Sequence, residues 1–434
     1  MGSGGRRGGS FFLTLSLLVA AAQCASPHAD LRELGPEAAA AADKPGVPDR
    51  SLLHAAEQEK AAVLQDLATL VNQDSGTDDA EGLSHVSDWL ATRLRDLGAT
   101  VDVLPESPSA GTIVRGTLHG KGRLKLLLMI HFDTVFPKGE AARRPYEVKG
   151  TRAFGPGVAD AKGGAAVMLH ALAIAKQRGF SAYDTLTVLF DSDEEKGSSG
   201  SRDTLQKTSA EQDYVLSYEP PDGDRVIVQT NGIAIVKLDV KGRGGHASEP
   251  EKASNAALEL AAQVSQLRDL GDATKGTTVT WTVLKAGDRI NVIPDSASAT
   301  ADMRYSDPSE LERVDRDAKR LLEKRLVPDA QVAVTVDPRR PPFPRNAASE
   351  RLAATATRAY RELGRPLTPV AMRYGTDAGF AYHPGSAKPA VLEGMGIVGG
   401  GLHSAAEWAD LESVVPRLYL TVRMLELLAA VPTG

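Results

Sequence analysis

From Ser51 the chain places apolar residues every three or four positions through LLHAAEQEKAAVLQDLATLV and again through GLSHVSDWLATRLRDLG, the spacing that gives a helix one buried face. The period then shortens. TIVRGTLHG reads as a strand, LKLLLMIHFD as a strand buried on both faces, and glycine-rich FGPGVADAKGG leads into the helix AAVMLHALAIAKQRG. TLTVLFD returns as a strand, and DYVLSYEP is another that runs into acid and proline. Strands alternating with helices of this length predict an α/β fold, a mostly parallel sheet flanked by helices.

Near Gly232 the pattern changes. GIAIVKLDVKGRGGHAS is a long alternating strand. A helix from about Asn255 to Leu270, strands at TTVTWTVLKAG and SASATADMRY, a charged helix from Pro308 to Leu326 and the strand AQVAVTVD follow. The order β-α-β-β-α-β describes a small ferredoxin-like α+β sandwich inserted into the first domain. RRPPFP marks the way out, and the remainder, two helical stretches around AVLEGMG, returns to the first domain. The expected division is 51–231 and 342–434 for the main domain and 232–341 for the insert.

A length of 434 residues agrees with more than one core. The first residues have the form of an export signal: Arg6 and Arg7 precede the apolar run FFLTLSLLVAAA and small residues. A signal peptide over 1–24 and a flexible linker over 25–50, rich in Pro, Gly and Ala, are therefore expected, with a periplasmic or secreted product. Cys24 is the only cysteine, which excludes an intrachain disulfide. A lipid anchor at Cys24 is the alternative to simple cleavage, and Gln23 before it is a poor match for one. The apolar run is too short for a membrane span, and a net charge of -6 argues against a nucleic-acid surface.

The segment LFDSDEEKGSSG places four acids within five positions where a buried strand ends. Acidic clusters are usually solvated loops. At the carboxyl edge of a parallel sheet, however, ligands bind, and crowded carboxylates there need a cation, a proton or an arginine. Other predicted strand ends carry the same residue types. His131 closes one, with Asp133 two residues on, Asp160 follows FGPGVA, Glu194 and Glu195 follow TLTVLF, and Glu219 follows YVLSY. Nitrogen and oxygen without sulfur suit zinc, with manganese or cobalt as alternatives. Two adjacent glutamates do not readily share one ion, so one can ligate while the other stays free as a base.

HFDTV, GPGVADAKGG, DSDEEKGSSGSRD, SYEP, GGHAS, RINVIP, ADMRY, GTDAG and GGGLHS occur in this order. Together they resemble the dinuclear zinc peptidases related to aminoacylase and to glutamate carboxypeptidase of the carboxypeptidase G type. The resemblance runs from Ser51 to the end. It implies two zinc ions per subunit: His131 and Glu219 on one, Glu195 and His403 on the other, Asp160 bridging. Asp133 is implied to hold the far ring nitrogen of His131, and Glu194 to be the general base. His246, on the insert, is expected to reach a neighbouring subunit's active site and donate to the reacting carbonyl oxygen, which implies a homodimer. Asn291 and Arg304 match positions that hold the substrate's carboxylate end, and Arg340 is expected to face a second, side-chain carboxylate. The peptide after Asp160 is expected to be cis, as in relatives.

His383, in AYHPGS, competes with His403 as the late ligand, but glycines beside His403 let backbone pass close to a metal. GPGVADAKGG lacks the spacing of a phosphate loop, and GSSGS lacks that of a nucleophile elbow. The resulting expectation is an exported zinc exopeptidase that releases a C-terminal amino acid, glutamate foremost, from a folate-like or N-acyl substrate with a free carboxylate. The alternatives are an aminoacylase or dipeptidase of the same family, and a metal-binding or interaction protein without catalysis.

Overall fold

Helix α1 (Arg50–Val71) starts because the Asp49 side chain accepts the N–H of Leu52. The computed structural model describes residues 46–431. The signal peptide expected over 1–24 lies outside these residues, as does the linker except for its last positions, of which Arg50 already belongs to α1. Helix α2 (Ala80–Leu97) ends at Gly98, whose φ of 93° supplies a left-handed cap.

Strands β1 (Thr100–Pro105), β2 (Thr112–His119) and β3 (Lys125–His131) follow, then α3 (Lys162–Gln177), β4 (Thr185–Asp191), α4 (Arg202–Ala210) and β5 (Tyr214–Ser217). The insert contributes β6 (Gly232–Lys241), α5 (Ala256–Gln266), β7 (Thr278–Ala286), β8 (Ser296–Tyr305), α6 (Ser309–Leu321) and β9 (Gln331–Arg340). Helix α7 (Ala347–Arg361), strand β10 (Ala390–Leu392) and helix α8 (Val414–Ala429) complete the main unit.

The main sheet has the order β1-β2-β4-β3-β5-β10. Strands β4, β3, β5 and β10 are parallel, and β1 and β2 add an antiparallel edge. Both faces of β3 are buried, and its side chains alternate between two cores. Leu126, Leu128 and Ile130 join the cluster that contains residues of α1, α3 and α8, while Leu127 and Met129 join Leu205 of α4 and Phe380. This arrangement explains why LLLMI reads as unbroken hydrophobicity. Four parallel strands also send their carboxyl ends to one edge.

The insert is an antiparallel sheet, β7-β8-β6-β9. Ala234, Val236, Leu238 and Val240 alternate into a separate core with Leu260 of α5 and Val314 of α6. Helix α5 is shorter than its apolar spacing implies, and Asn255 caps it. Helix α6 stops at Leu321 rather than Leu326, because α5 captures the following chain. Glu259 accepts the N–H groups of Leu326 and Val327, and Gln263 donates to the carbonyl of Lys324. Strand β9 outruns the expected AQVAVTVD and carries Arg340 at its end, past a bulge at Pro338.

Candidate metal centre

Strand β3 ends at His131, and the next residue, Phe132, turns into the core with no exposure. Alternation leaves His131 and Asp133 on the same side. His131 Nδ1 lies 3.2 Å from Asp133 Oδ1. Asp133 also accepts the Thr77 hydroxyl at 2.7 Å and the backbone N–H groups of Glu194 and Glu195 at 3.2 and 3.3 Å. One fully buried carboxylate thus orients the imidazole and the turn that carries both glutamates.

His131 Nε2, the other ring nitrogen, stands 3.2 Å from Asp160 Oδ1 and 3.4 Å from Glu219 Oε1. The second oxygen of Asp160 lies 3.1 Å from His403 Nε2, which is also 3.1 Å from Glu195 Oε2. A tetrahedral ion with bonds of 2.0–2.1 Å needs ligand atoms about 3.3 Å apart, and the four histidine–carboxylate separations, 3.1–3.4 Å, suit that spacing. The donor atoms of His131, Asp160 and Glu195 all lie within 4.8 Å of one another. The residues fit a pair of divalent cations that share Asp160.

The charges point the same way. Burial opposes the imidazolium of His131, yet Glu219, Asp133 and Asp160 hold its pKa well above the ordinary value. Hydrogen bonds to Asp160 and Glu195 push His403 up to about 11. Burial raises Glu219 to about 8 and drives Glu194 well above the usual carboxylate range, the latter against the pull of Arg340. Burial resists ionisation of Asp160 too, but the two histidines win and hold it below its ordinary value. A cluster that favours protons this strongly carries excess negative charge.

The segments that bring these residues together are held by acids the sequence reading missed. Glu407 accepts the N–H groups of Gly157, Ala159 and Asp160 at 2.9–3.1 Å, fixing the loop before Asp160. The Asp160–Ala161 peptide is cis. Glu393, just past β10, accepts the N–H of Glu219 at 3.2 Å. Its signal was the one that flagged Glu219, an acid directly after a strand. In GGGLHS the need for glycine is partly one of packing: a Cβ on Gly399 would come 2.4 Å from that of Ala159. His403 itself adopts a φ of 58°.

Arg340 reaches the centre from the insert. It pairs with the Glu194 carboxylate and donates to the Glu194 carbonyl at 2.7 Å. The other expected substrate groups stand apart in this conformation. His246 is exposed and bonds Ser248 Oγ at 2.6 Å. Asn291 is exposed and accepts the Ala247 N–H through its carbonyl. Arg304 pairs through two nitrogens with Asp302. None of the three has a hydrogen bond or ion pair to the cluster among the described residues. His383 lies elsewhere, bonded to Ser209.

Residues 127–427 match the model of peptidase family M20/M25/M40. The chain is 39% identical over 385 residues to carboxypeptidase G2 of Pseudomonas sp. (strain RS-16), which covers 87% of this chain and 92% of that one. Among solved structures, aminopeptidase PepT from Bacillus cereus ATCC 10987 superposes with a TM-score of 0.70 at 19% identity, covering 85% of this chain and 98% of that one. The Bacillus subtilis YXEP protein, described as a dinuclear metal binding peptidase of family M20, gives 0.65 at 15% identity, covering 86% and 99%. These two likenesses concern the fold. The chain belongs to peptidase family M20/M25/M40 and is a dinuclear metallopeptidase.

Proposed function

We propose that the protein is an exported zinc exopeptidase that cleaves the amide bond to a C-terminal amino acid, glutamate foremost, in folate-like or N-acyl substrates. The observation that carries this reading is the division of Asp160: its two oxygens face different histidines, and each histidine also faces a different glutamate, while Glu194 contacts neither histidine and pairs with Arg340. His131 and Glu219 would hold one ion, His403 and Glu195 the other. When bound, such a pair supplies Lewis acidity, polarising a carbonyl and making water more acidic.

Glu194 takes the proton of the attacking water as the water oxygen bonds to the amide carbon. It returns a proton to the nitrogen as the C–N bond breaks. Its burial, which disfavours the carboxylate, makes it a stronger base than a solvated glutamate. Asp133 fixes the His131 ring and, through two N–H groups, the backbone of Glu194 and Glu195. In this reading Arg340 faces an acidic side chain of the leaving residue, and Asn291 and Arg304 hold its α-carboxylate.

The remaining elements of the proposal are quaternary and cellular. Strand β7 is an edge of the insert's sheet, and Val283, Leu284, Ile290 and Val292 beside it are more than two-fifths exposed. An apolar edge of this kind favours pairing with a second copy, which would let His246 and Asn291 serve a neighbouring site. Export rests on residues 1–24. No helix among the described residues is long and apolar enough to cross a membrane.

A panel of N-acyl amino acids and a folate analogue, assayed with and without chelator, tests the activity. Glutamate release that stops on chelation and returns with zinc is expected. Release that survives exhaustive chelation refutes the metal mechanism. Faster cleavage of neutral residues would move the assignment to an aminoacylase.

A further inference from the structure

Arg340 is the last residue of β9, and its side chain is 3% exposed. Its guanidinium lies between two carboxylates. Nη1 pairs with Glu194 Oε1 and stands 3.4 Å from Asp377 Oδ1, while Nη2 donates to Ser198 Oγ at 3.2 Å and to the Glu194 carbonyl. Ser198 donates in turn to Asp377. Two buried atoms of this network have no hydrogen-bond partner among the described residues, Nε of Arg340 and Oδ2 of Asp377. A buried guanidinium with an idle N–H, beside a carboxylate with an idle oxygen, is an incompletely satisfied ion network.

This geometry bears on the base. A carboxylate held by a charge-assisted bond has part of its lone-pair capacity occupied, and the pairing stabilises its ionised form. Glu194 so held has Oε1 engaged by the guanidinium instead of open to a water. The guanidinium also has a second anion within reach, Asp377, on which it can settle if it leaves Glu194.

We propose that Arg340 is a positioning residue that latches the base: it holds Glu194 until an acidic side chain on the leaving residue draws the guanidinium onto itself and Asp377, freeing Glu194. The idle Nε is the donor that such a carboxylate engages, with Nη completing the planar fork. The proposal rests on the readings of Glu194 as base and Arg340 as the arm facing an acidic side chain. Its consequence is that a substrate's negative charge is registered in turnover as well as in binding.

Two experiments test it on the full chain. The first reads binding alone, by calorimetry of glutarate with metal-free protein. Glu194→Gln removes the competitor for Arg340, so glutarate should bind about tenfold more tightly than to the wild type. Equal affinity overturns the latch. The second compares N-acyl-glutamate with N-acyl-glutamine in the zinc-loaded wild type, Arg340→Met and Arg340→Lys. The wild type should favour glutamate about tenfold or more in kcat. Arg340→Met, which removes the latch, should raise kcat for the glutamine substrate toward that for glutamate and so abolish the difference, and Arg340→Lys should restore part of it.

A glutamate advantage confined to KM overturns the latch but leaves acid recognition standing. Equal losses for both substrates in Arg340→Met mark a merely structural arginine. If the wild type shows no glutamate preference at all, the substrate assignment fails first, and the glutarate measurement still decides whether Arg340 and Glu194 compete. That measurement also decides the matter if Arg340→Met does not fold.

Discussion

Asp133 contacts the His131 ring at 3.2 Å and the Glu194 backbone N–H at the same distance, with one oxygen, Oδ1. A candidate ligand and the candidate base therefore share a single support. Asp133→Asn should lower zinc affinity and turnover together, by about 10- to 100-fold, because the amide offers a donor where the imidazole needs an acceptor. A competition titration with a chromogenic chelator measures the first and steady-state kinetics the second. Unchanged zinc affinity would show that the contact does not orient a ligand.

The two halves of the cluster differ in exposure. The His403 side chain is 57% exposed, whereas His131 is 1% exposed. His403→Ala should lower bound zinc from about two ions per chain to about one, read by elemental analysis after desalting. Loss of both ions would show that the halves do not load separately.

Metal removal should also loosen the fold. The proposed ligands come from the end of β3, the loops after β4 and β5 and residues near 160 and 403, so ions that bind only the folded chain would tie these segments together. At a free concentration 100 times its Kd, one ion adds about 2.7 kcal/mol. Thermal unfolding with chelator and with zinc should differ by several degrees, and coincident curves would contradict a site built by folding.

Glu106 provides a pH test away from the proposed ligands. Burial first, and then the neighbouring Asp193, push its pKa up to about 8 from 4.5. A raised folded-state pKa means that the folded chain holds this proton more tightly than the unfolded chain. The associated stability is full below 4.5 and is lost as pH rises through 8. Glu106→Gln keeps partners for the Ser192 N–H and hydroxyl and removes the charge. Between pH 6 and 9 the wild type should lose on the order of 1–3 kcal/mol more than the variant in chemical denaturation. Identical slopes would refute this assignment.

If His246 serves a neighbouring subunit, Glu194→Ala and His246→Ala chains should each be nearly inactive. Mixed, they should regain up to about a quarter of wild-type turnover through heterodimers with one intact site. Absence of recovery after subunit exchange, checked with differently tagged chains, would count against the cross-subunit role.

The proposed ligand set was legible because its residue types are conspicuous at the ends of apolar runs. His131, Glu195 and Glu219 needed only the strand pattern to be noticed, and the resemblance added His403. Glu407 was not legible: nothing local marks a glutamate in SAAEWAD as the acceptor of three N–H groups from residues some 250 positions earlier. Strand β1 escaped for a related reason. TVDVLP is mostly exposed and is made a strand by its pairing with β2. Helix α3 begins at Lys162, earlier than expected, because Gly163 and Gly164 suggested a loop. They are helical, and a Cβ on Gly164 would meet the Tyr218 carbonyl at 2.2 Å.

The insert enters and leaves through neighbouring positions. Thr230 and Phe343 exchange both backbone hydrogen bonds, at 2.9 and 3.1 Å, which places their Cα atoms about 5.5 Å apart. Cutting at this clasp and rejoining with a short turn would excise the sandwich as a cassette and leave the proposed cation ligands behind, with Arg340 travelling out on the excised piece. One seam therefore parts the proposed cation ligands and Glu194, which stay, from His246, Asn291, Arg304 and Arg340, which leave together, so an exchange of the cassette between relatives would carry every proposed substrate-facing group of the insert at once.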